Sequence, residues 1–371
     1  MKLFYITRIR MPTEKAHGLQ IAKMCEAYVK LGHDVELIVP ERKNHITDDA
    51  ITYYGLTERF PVTYIHIPDT IRLSKWVPFF AYWSQAILFL FALASRPIPR
   101  DGIVLTRSLD VAWWYTRKGY TVVCEVHDWP RRHKWFAKFL LRKVSFIVCN
   151  SMGLSHEIQS HGFTNTLVAP NGVDIASLTP TLSREAMRAQ WGIANDQFLV
   201  LYIGALEAWK GYRTLLEASK NMPDVVVGII GGKEEQLRSL RETYPSVRFF
   251  GTQPYRDIGN FQSMADVLVI PNDPQYREDQ TYTSPIKLYA HLASGVPIVV
   301  TDLPTIRDVV TDETVNFFDG TSDSLVHEIA AIQHDTQSAH NKALQAQGLA
   351  HEYTWTKRAE RIIQYATGAQ K

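Results

Sequence analysis

The sequence predicts an α/β protein built of two doubly wound domains, and three observations predict it. Short β-branched runs alternate with segments of helical periodicity from the first residues onward. The alternation breaks in a polar stretch at about 176–196 and restarts at Phe198. At 371 residues the chain is also long for a single core. Strands alternating with helices form parallel sheets covered on both faces, and such domains bind ligands beyond the carboxyl ends of their strands. Two of them facing each other would share a central crevice.

Taken in order, Met1–Ile6 reads as a first strand. Its apolar stretch is too short for a secretory leader, and charge arrives at Arg8 and Arg10. A helix follows at about 17–31, with Ile21, Met24, Cys25 and Tyr28 on one face. Further strands are expected at 35–39, 62–67, 102–106, 121–126, 145–149 and 166–169. The uncharged run Trp76–Ser95 has the length of a membrane span, but Pro78, Ser84 and Gln85 interrupt it. The alternation on both sides favours a buried or interfacial helix there.

Pro170-Asn171-Gly172-Val173-Asp174 is a turn cluster, and the domain boundary is expected near it: residues 1–177 form a first domain and 178–352 a second. In the second, strands are expected at 198–204, 225–231, 247–251, 267–271 and 297–301. Residues 279–310 read as a polar loop, a helix and a returning strand. Pro285 suits the first helical turn, Ile286, Leu288, Tyr289 and Leu292 follow at helical spacing, and Gly295 stops the helix. The free amides of such a helix start suit an anion, while the plain alternative is an ordinary crossover. Residues 353–371 form a closing segment whose helix has Trp355, Ala359, Ile362 and Ile363 as its apolar face.

Composition narrows the classes. Hydrophobic residues at 46% and charged residues at 21% describe a globular chain, and a net charge of +2 argues against a dedicated nucleic-acid binder. Three cysteines, Cys25, Cys124 and Cys149, lack CxxC spacing and lie in apolar runs, which suits buried thiols in a reducing compartment. No HExxH, P-loop or GxGxxG stands in the sequence.

Several stretches carry candidate chemistry. The turn after the first strand holds Arg8, Arg10, Glu14, Lys15, His17 and Gly18, and is either a ligand loop or a solvated one. In Glu125-Val126-His127-Asp128 a histidine ends a strand where α/β sites lie. The next segment bears Arg131, Arg132, Lys134 and Lys138 with aromatics at helical spacing. It suits an anionic membrane surface or a phosphorylated acceptor, or else a surface helix with Trp135, Phe139 and Leu140 packed inward. Tyr202-Ile203-Gly204 leads through a loop to Lys210-Gly211, which sets an ammonium where a diphosphate would sit. Asp266 reads as structural.

These pieces occur in an order that resembles the retaining glycosyltransferases of family 4, group 1 type, with the GT-B fold of two Rossmann-like domains. The resemblance rests on EKAHGLQIAKMCEAYVKLGHDVELIVP (14–40), EVHDWP (125–130), APNGVD (169–174), YIGALEAWKG (202–211), MADVLVIPND (264–273) and SPIKLYAHLASGVPIVVTDLPTIRDVV (284–310). YTWTKRAERII (353–363) is similar to the helix that in such enzymes crosses back to the first domain. The resemblance implies transfer of a sugar from a UDP- or GDP-linked donor on the second domain to a glycan or lipid-linked acceptor on the first. Anomeric configuration is kept, and neither metal nor cofactor is needed. It implies catalytic roles for His127 and Lys210, and donor contacts from Gly18, Gly204, Tyr282, Ser284, Pro285, Ile286 and Lys287. A cytoplasmic protein, peripheral on the inner face of the membrane, is the expected setting, with cell-surface polysaccharide synthesis as its role.

The sequence departs from the family pattern at three positions. The two glutamates separated by seven residues read Tyr282 and Ala290 here; loss of the second makes ribose recognition differ or weaken, and for the first, near the donor sugar, Tyr282 itself or Glu278 or Asp279 would substitute. The arginine after the first glycine of the second domain is Ala205, leaving Lys210 and helix amides for the diphosphate, with Arg8 or Lys287 as further cations. These losses motivate one alternative, a degenerate scaffold that binds nucleotide-sugar or a partner without turnover; a nucleotide-sugar epimerase with the same fold is a third reading.

Overall fold

The computed structural model describes residues 1–276 and 281–368. Among these, the chain divides into two compact units, Met1–Pro170 together with the helix that starts at Trp355, and Asn171–Thr354. The division falls inside the predicted turn cluster, upstream of residue 177. Asn171 and Val173 already belong to the second unit: the Asn171 amide donates to Ser284 Oγ (3.0 Å) and the Val173 amide to the Tyr353 carbonyl (2.8 Å).

The first unit is a parallel sheet in the order β3-β2-β1-β4-β5-β6-β7. Its strands are β1 (Lys2–Ile6), β2 (Asp34–Pro40), β3 (Val62–Ile65), β4 (Ile103–Thr106), β5 (Thr121–Val126), β6 (Phe146–Cys149) and β7 (Thr166–Val168). The strand order reverses between β1 and β4, which pair in parallel through Leu3 and Ile103. That reversal opens a crevice at the carboxyl ends of the two strands. β4 and most of β1 are buried, as strands covered on both faces must be.

The second unit repeats the plan in the order β10-β9-β8-β11-β12-β13. Its strands are β8 (Phe198–Ile203), β9 (Val225–Ile230), β10 (Arg248–Gly251), β11 (Val267–Ile270), β12 (Ile298–Thr301) and β13 (Asn316–Phe318). The short edge strand β13 was not expected: three residues are too few for a period to show. Asp266 is structural, as read: it accepts from the Leu199 amide (2.7 Å), pairs with Arg184 (2.5 Å), and pairs with the fully buried Arg188 (2.7 Å).

Of two helices singled out in the sequence, one is as expected and one differs in part. The run 76–95 holds the helix Pro78–Ala94, which buries Ala81, Gln85, Ala86, Phe89 and Leu93 and leaves Phe79, Phe80 and Phe91 at least 60% exposed. Among the described residues no helix is long and apolar enough to cross a membrane. In the helix Lys134–Leu141, Leu140 packs inward as expected but Trp135 turns outward, 69% exposed. The closing helix Trp355–Thr367 packs on the helix Ala16–Lys30 within the first unit.

Candidate functional site

In the first unit the carboxyl ends of β1, β2, β4 and β5 surround a cavity of about 950 Å³. Each strand delivers a basic or imidazole side chain just past its last residue: Arg8, Arg42, Arg107 and His127. Behind His127 lies a buried polar network. Glu125 pairs with Arg358 of the closing helix (2.7 Å) and accepts from Gln20 Nε2 (3.1 Å) and the Tyr5 hydroxyl (3.2 Å). Burial alone would raise the Glu125 carboxyl, but the Arg358 guanidinium and the His127 ring hold it well below the usual carboxylate range.

His127 Nε2 lies 3.5 Å from Glu125 Oε2. Burial, and then the nearby Arg107 charge, pull the ring down to about 3, so it stays neutral at physiological pH. The same two causes pull His17, also on the cavity wall, down to about 4. Arg8 is committed elsewhere: it pairs with Asp110 (3.0 Å), donates to the Tyr82 hydroxyl (2.7 Å) and stacks on that ring. Gly18 lies in the first turn of the helix Ala16–Lys30, and the Tyr54 hydroxyl and Thr13 methyl fill the room its missing Cβ leaves, at 2.1 and 2.5 Å.

Of the basic segment, Arg132 lines the cavity. Arg131 and Lys138 are exposed, and Lys134 is tied to Glu157 (2.7 Å). Sequence reading passed over Arg42 and Arg107. The available signal was an arginine one or two residues past a strand end, which a lone residue rarely makes visible.

In the second unit the strand order reverses between β8 and β11, and the loops leaving these strands interlock. Gly211 holds φ +66°, and a Cβ there would meet the Pro271 carbonyl oxygen at 1.6 Å, so only glycine fits. The Asp273 amide donates to the Trp209 carbonyl (3.1 Å). Lys210 is thereby fixed in the turn Ala208–Lys210, half-buried, with Nζ 3.3 Å from the centre of the Trp209 ring. Lys287 Nζ sits 5.0 Å from the Tyr202 ring centre, and Tyr202 donates to the Ala205 carbonyl (2.8 Å) next to Gly204.

The predicted helix start shifts by one residue. Pro285 caps the helix Ile286–Leu292 instead of opening it, because its ψ of 118° is extended. Ser284 is buried: its hydroxyl bonds to Tyr289 (2.8 Å) and the Asn171 amide, and its carbonyl accepts from Asn171 Nδ2 (2.6 Å). Its side chain therefore anchors the loop from behind. Tyr282 is buried too, and Ala290 lies in the core, its carbonyl accepting from Gln262 (3.1 Å). Glu278 and Asp279 fall outside the described residues. Among the described residues no group of histidine, cysteine or acidic side chains could hold a metal ion.

Two family models match the chain in succession: Glycosyltransferase Family 4 over residues 18–177 and Glycosyl transferases group 1 over 183–348. A GDP-mannose-dependent alpha-(1-6)-phosphatidylinositol dimannoside mannosyltransferase of Mycobacterium tuberculosis is 23% identical over 374 residues, covering 94% of this chain and 92% of that one. The Bacillus subtilis glycosyltransferase TuaC, named for teichuronic acid biosynthesis, is 23% identical over 82% of this chain and 81% of its own. Among solved structures, a sucrose-phosphate synthase from Thermosynechococcus elongatus superposes with a TM-score of 0.79 at 16% identity, over 99% of this chain and 98% of that chain. Anabaena HepE in complex with UDP-glucose gives a TM-score of 0.75 at 17% identity, over 99% and 100%.

Proposed function

The chain belongs to the family-4, group 1 glycosyltransferases, and we propose that it is a retaining enzyme that moves a sugar from a UDP- or GDP-linked donor to a glycan or lipid-linked acceptor. The observation that carries the reading is Lys210. Family resemblance gives this lysine to the donor diphosphate, and the chain holds it in a glycine-locked turn at the strand-order reversal of the second unit. There its ammonium stabilises the negative charge that grows on the departing phosphate, the largest electrostatic task of the reaction. Lys287 and the amides about Ile286 add to that field, while Gly204 and Tyr282 lie beside the donor. With Ala205 and Ala290 in place of charged residues, the nucleotide is held by fewer ionic contacts than is usual in the family.

In the first unit His127, neutral and set by Glu125, orients the donor sugar; the leaving phosphate takes the acceptor proton. UDP-glucose bound to Anabaena HepE and the GDP-mannose dependence of the mycobacterial relative support the two donor classes. The named role of TuaC supports cell-surface polysaccharide synthesis. The enzyme is metal- and cofactor-independent, cytoplasmic, and touches the membrane peripherally through the exposed aromatics of Pro78–Ala94 and the basic segment beside them.

Donor hydrolysis measured across UDP- and GDP-sugars tests the reading. Release of nucleoside diphosphate from at least one is expected. Binding without release from any of them would leave the scaffold alternative in its place, and an epimerised free donor would point to the third reading.

A further inference from the structure

The cavity of the first unit has more positive charge than its own carboxylates can match. Eight lysine and arginine side chains line it against four acids. Three of those acids already have a cation: Asp110 with Arg8, Glu14 with Arg10, and Asp69 with Arg72. Asp69 also acts on Arg42, so Arg42 and Arg72 share one carboxylate, and exposed Asp128 is left to face Arg107, Arg132 and two lysines.

Arg107 and Arg42 are the informative members. Arg107 donates to the neutral Gln20 amide oxygen (2.7 Å) and forms no ion pair with any described carboxylate. Gln20 in turn donates to Glu125, which Arg358 already neutralises. Arg42 has its Nε enclosed and without an acceptor. Burial depresses both guanidiniums, and Arg107 in turn depresses His17 and His127, so the field inside the cavity is positive. A half-buried guanidinium without an anion is costly unless a ligand supplies one, and the planar arginine fork suits phosphate oxygens.

Resting on the glycosyltransferase reading, we propose that the acceptor is anionic and that Arg42 and Arg107 hold a phosphate group of it in this cavity. Trp83, Phe136 and Leu140 form an apolar wall to the same space. An acceptor with a phosphate beside an apolar or sugar-ring surface therefore fits better than a neutral glycan. The donor diphosphate is a second source of the same chemistry, and the experiment must separate the two.

Glycerol 3-phosphate and UDP or GDP are titrated separately, by calorimetry at low salt, into the full chain, R42Q and R107Q. Neutral glycerol serves as the blank. The expected result is that glycerol 3-phosphate binds the wild type and still binds when nucleoside diphosphate saturates the protein. Each variant should weaken glycerol 3-phosphate about tenfold, the value of one charge-assisted hydrogen bond, with nucleotide affinity unchanged. R42Q, at a half-exposed strand end, keeps the test decisive if R107Q does not fold. Glycerol 3-phosphate binding that both variants retain would overturn the proposal, as would nucleotide affinity falling in step with it. Failure to bind any nucleotide would count against the glycosyltransferase reading alone, because the phosphate titration does not depend on it.

Discussion

In the proposed reaction Lys210 carries the largest electrostatic task. Stacked on Trp209 and fixed by Gly211, it loses little freedom on meeting a diphosphate. Lys210→Gln should lower kcat by about a hundredfold, the usual scale for losing one donor to a developing oxyanion. A raised KM with unchanged kcat would reduce the lysine to a ground-state contact. His127 makes a pH prediction. Its folded pKa of about 3 lies below the unfolded value of about 6.5, so the native state resists protonation. Its contribution to stability is complete above about 6.5 and is lost as pH falls toward 3. Accordingly, kcat/KM should show no acid limb near 6.5, and the His127 ring signal in NMR should not titrate between pH 5 and 8, about the ordinary histidine range. A midpoint near 6.5 would mean the ring is not held neutral. At this scale His127 and Lys210 were legible as candidates because each follows a strand in a recognisable motif. Arg42 and Arg107 were not, since their meaning lies in which carboxylates they lack, and that is a property of three-dimensional neighbours.

Among the elements, the helix Pro78–Ala94 shows how composition and placement can part. A segment apolar on nearly all sides gives no face to the eye. In the fold Gln85 is buried, accepting from the Thr70 amide and hydroxyl (each 3.0 Å), while Phe79, Phe80 and Phe91 are exposed. Trp83 packs edge-on against Phe136 of the neighbouring basic helix, so exposed rings and cations share one side of the first unit. Exposed aromatics with lysine and arginine beside them suit an anionic bilayer surface. The protein should therefore pellet with vesicles containing phosphatidylglycerol. The double change Phe79→Ser with Phe80→Ser should abolish pelleting, while R131E/R132E/K138E should weaken it, most at low salt. Pelleting that neither set of changes alters would remove this face from the reading. Elsewhere the strands were readable because their runs are continuous and buried, whereas β13 and the one-residue shift at Pro285 lie below the resolution of a pattern.

At the scale of the whole chain, the closing helix completes a unit that begins more than three hundred residues earlier. Arg358 donates to the Ala169 and Pro170 carbonyls (3.2 and 3.0 Å) and neutralises Glu125 in the heart of the first sheet. Breaking a buried pair by removing one partner leaves an uncompensated charge and costs about 3–5 kcal/mol. Arg358→Met should therefore lower the unfolding midpoint of the full chain. It should also speed amide exchange in β1 and β5 while leaving β8 and β11 protected, since the second unit has its own core. The pH dependence fixes the cause. In the wild type the Glu125 carboxyl is held well below its unfolded value of about 4.3, so its contribution is present above that pH and lost as pH falls through the folded pKa. In Arg358→Met the carboxyl has lost the guanidinium that opposes burial and gains by protonation. The stability gap between the two proteins should then narrow as pH drops from 7 toward 4, about the range in which a buried carboxyl with a raised pKa takes up its proton. A gap constant across that range would assign the loss to packing of the arginine stem, not to the charge it carries.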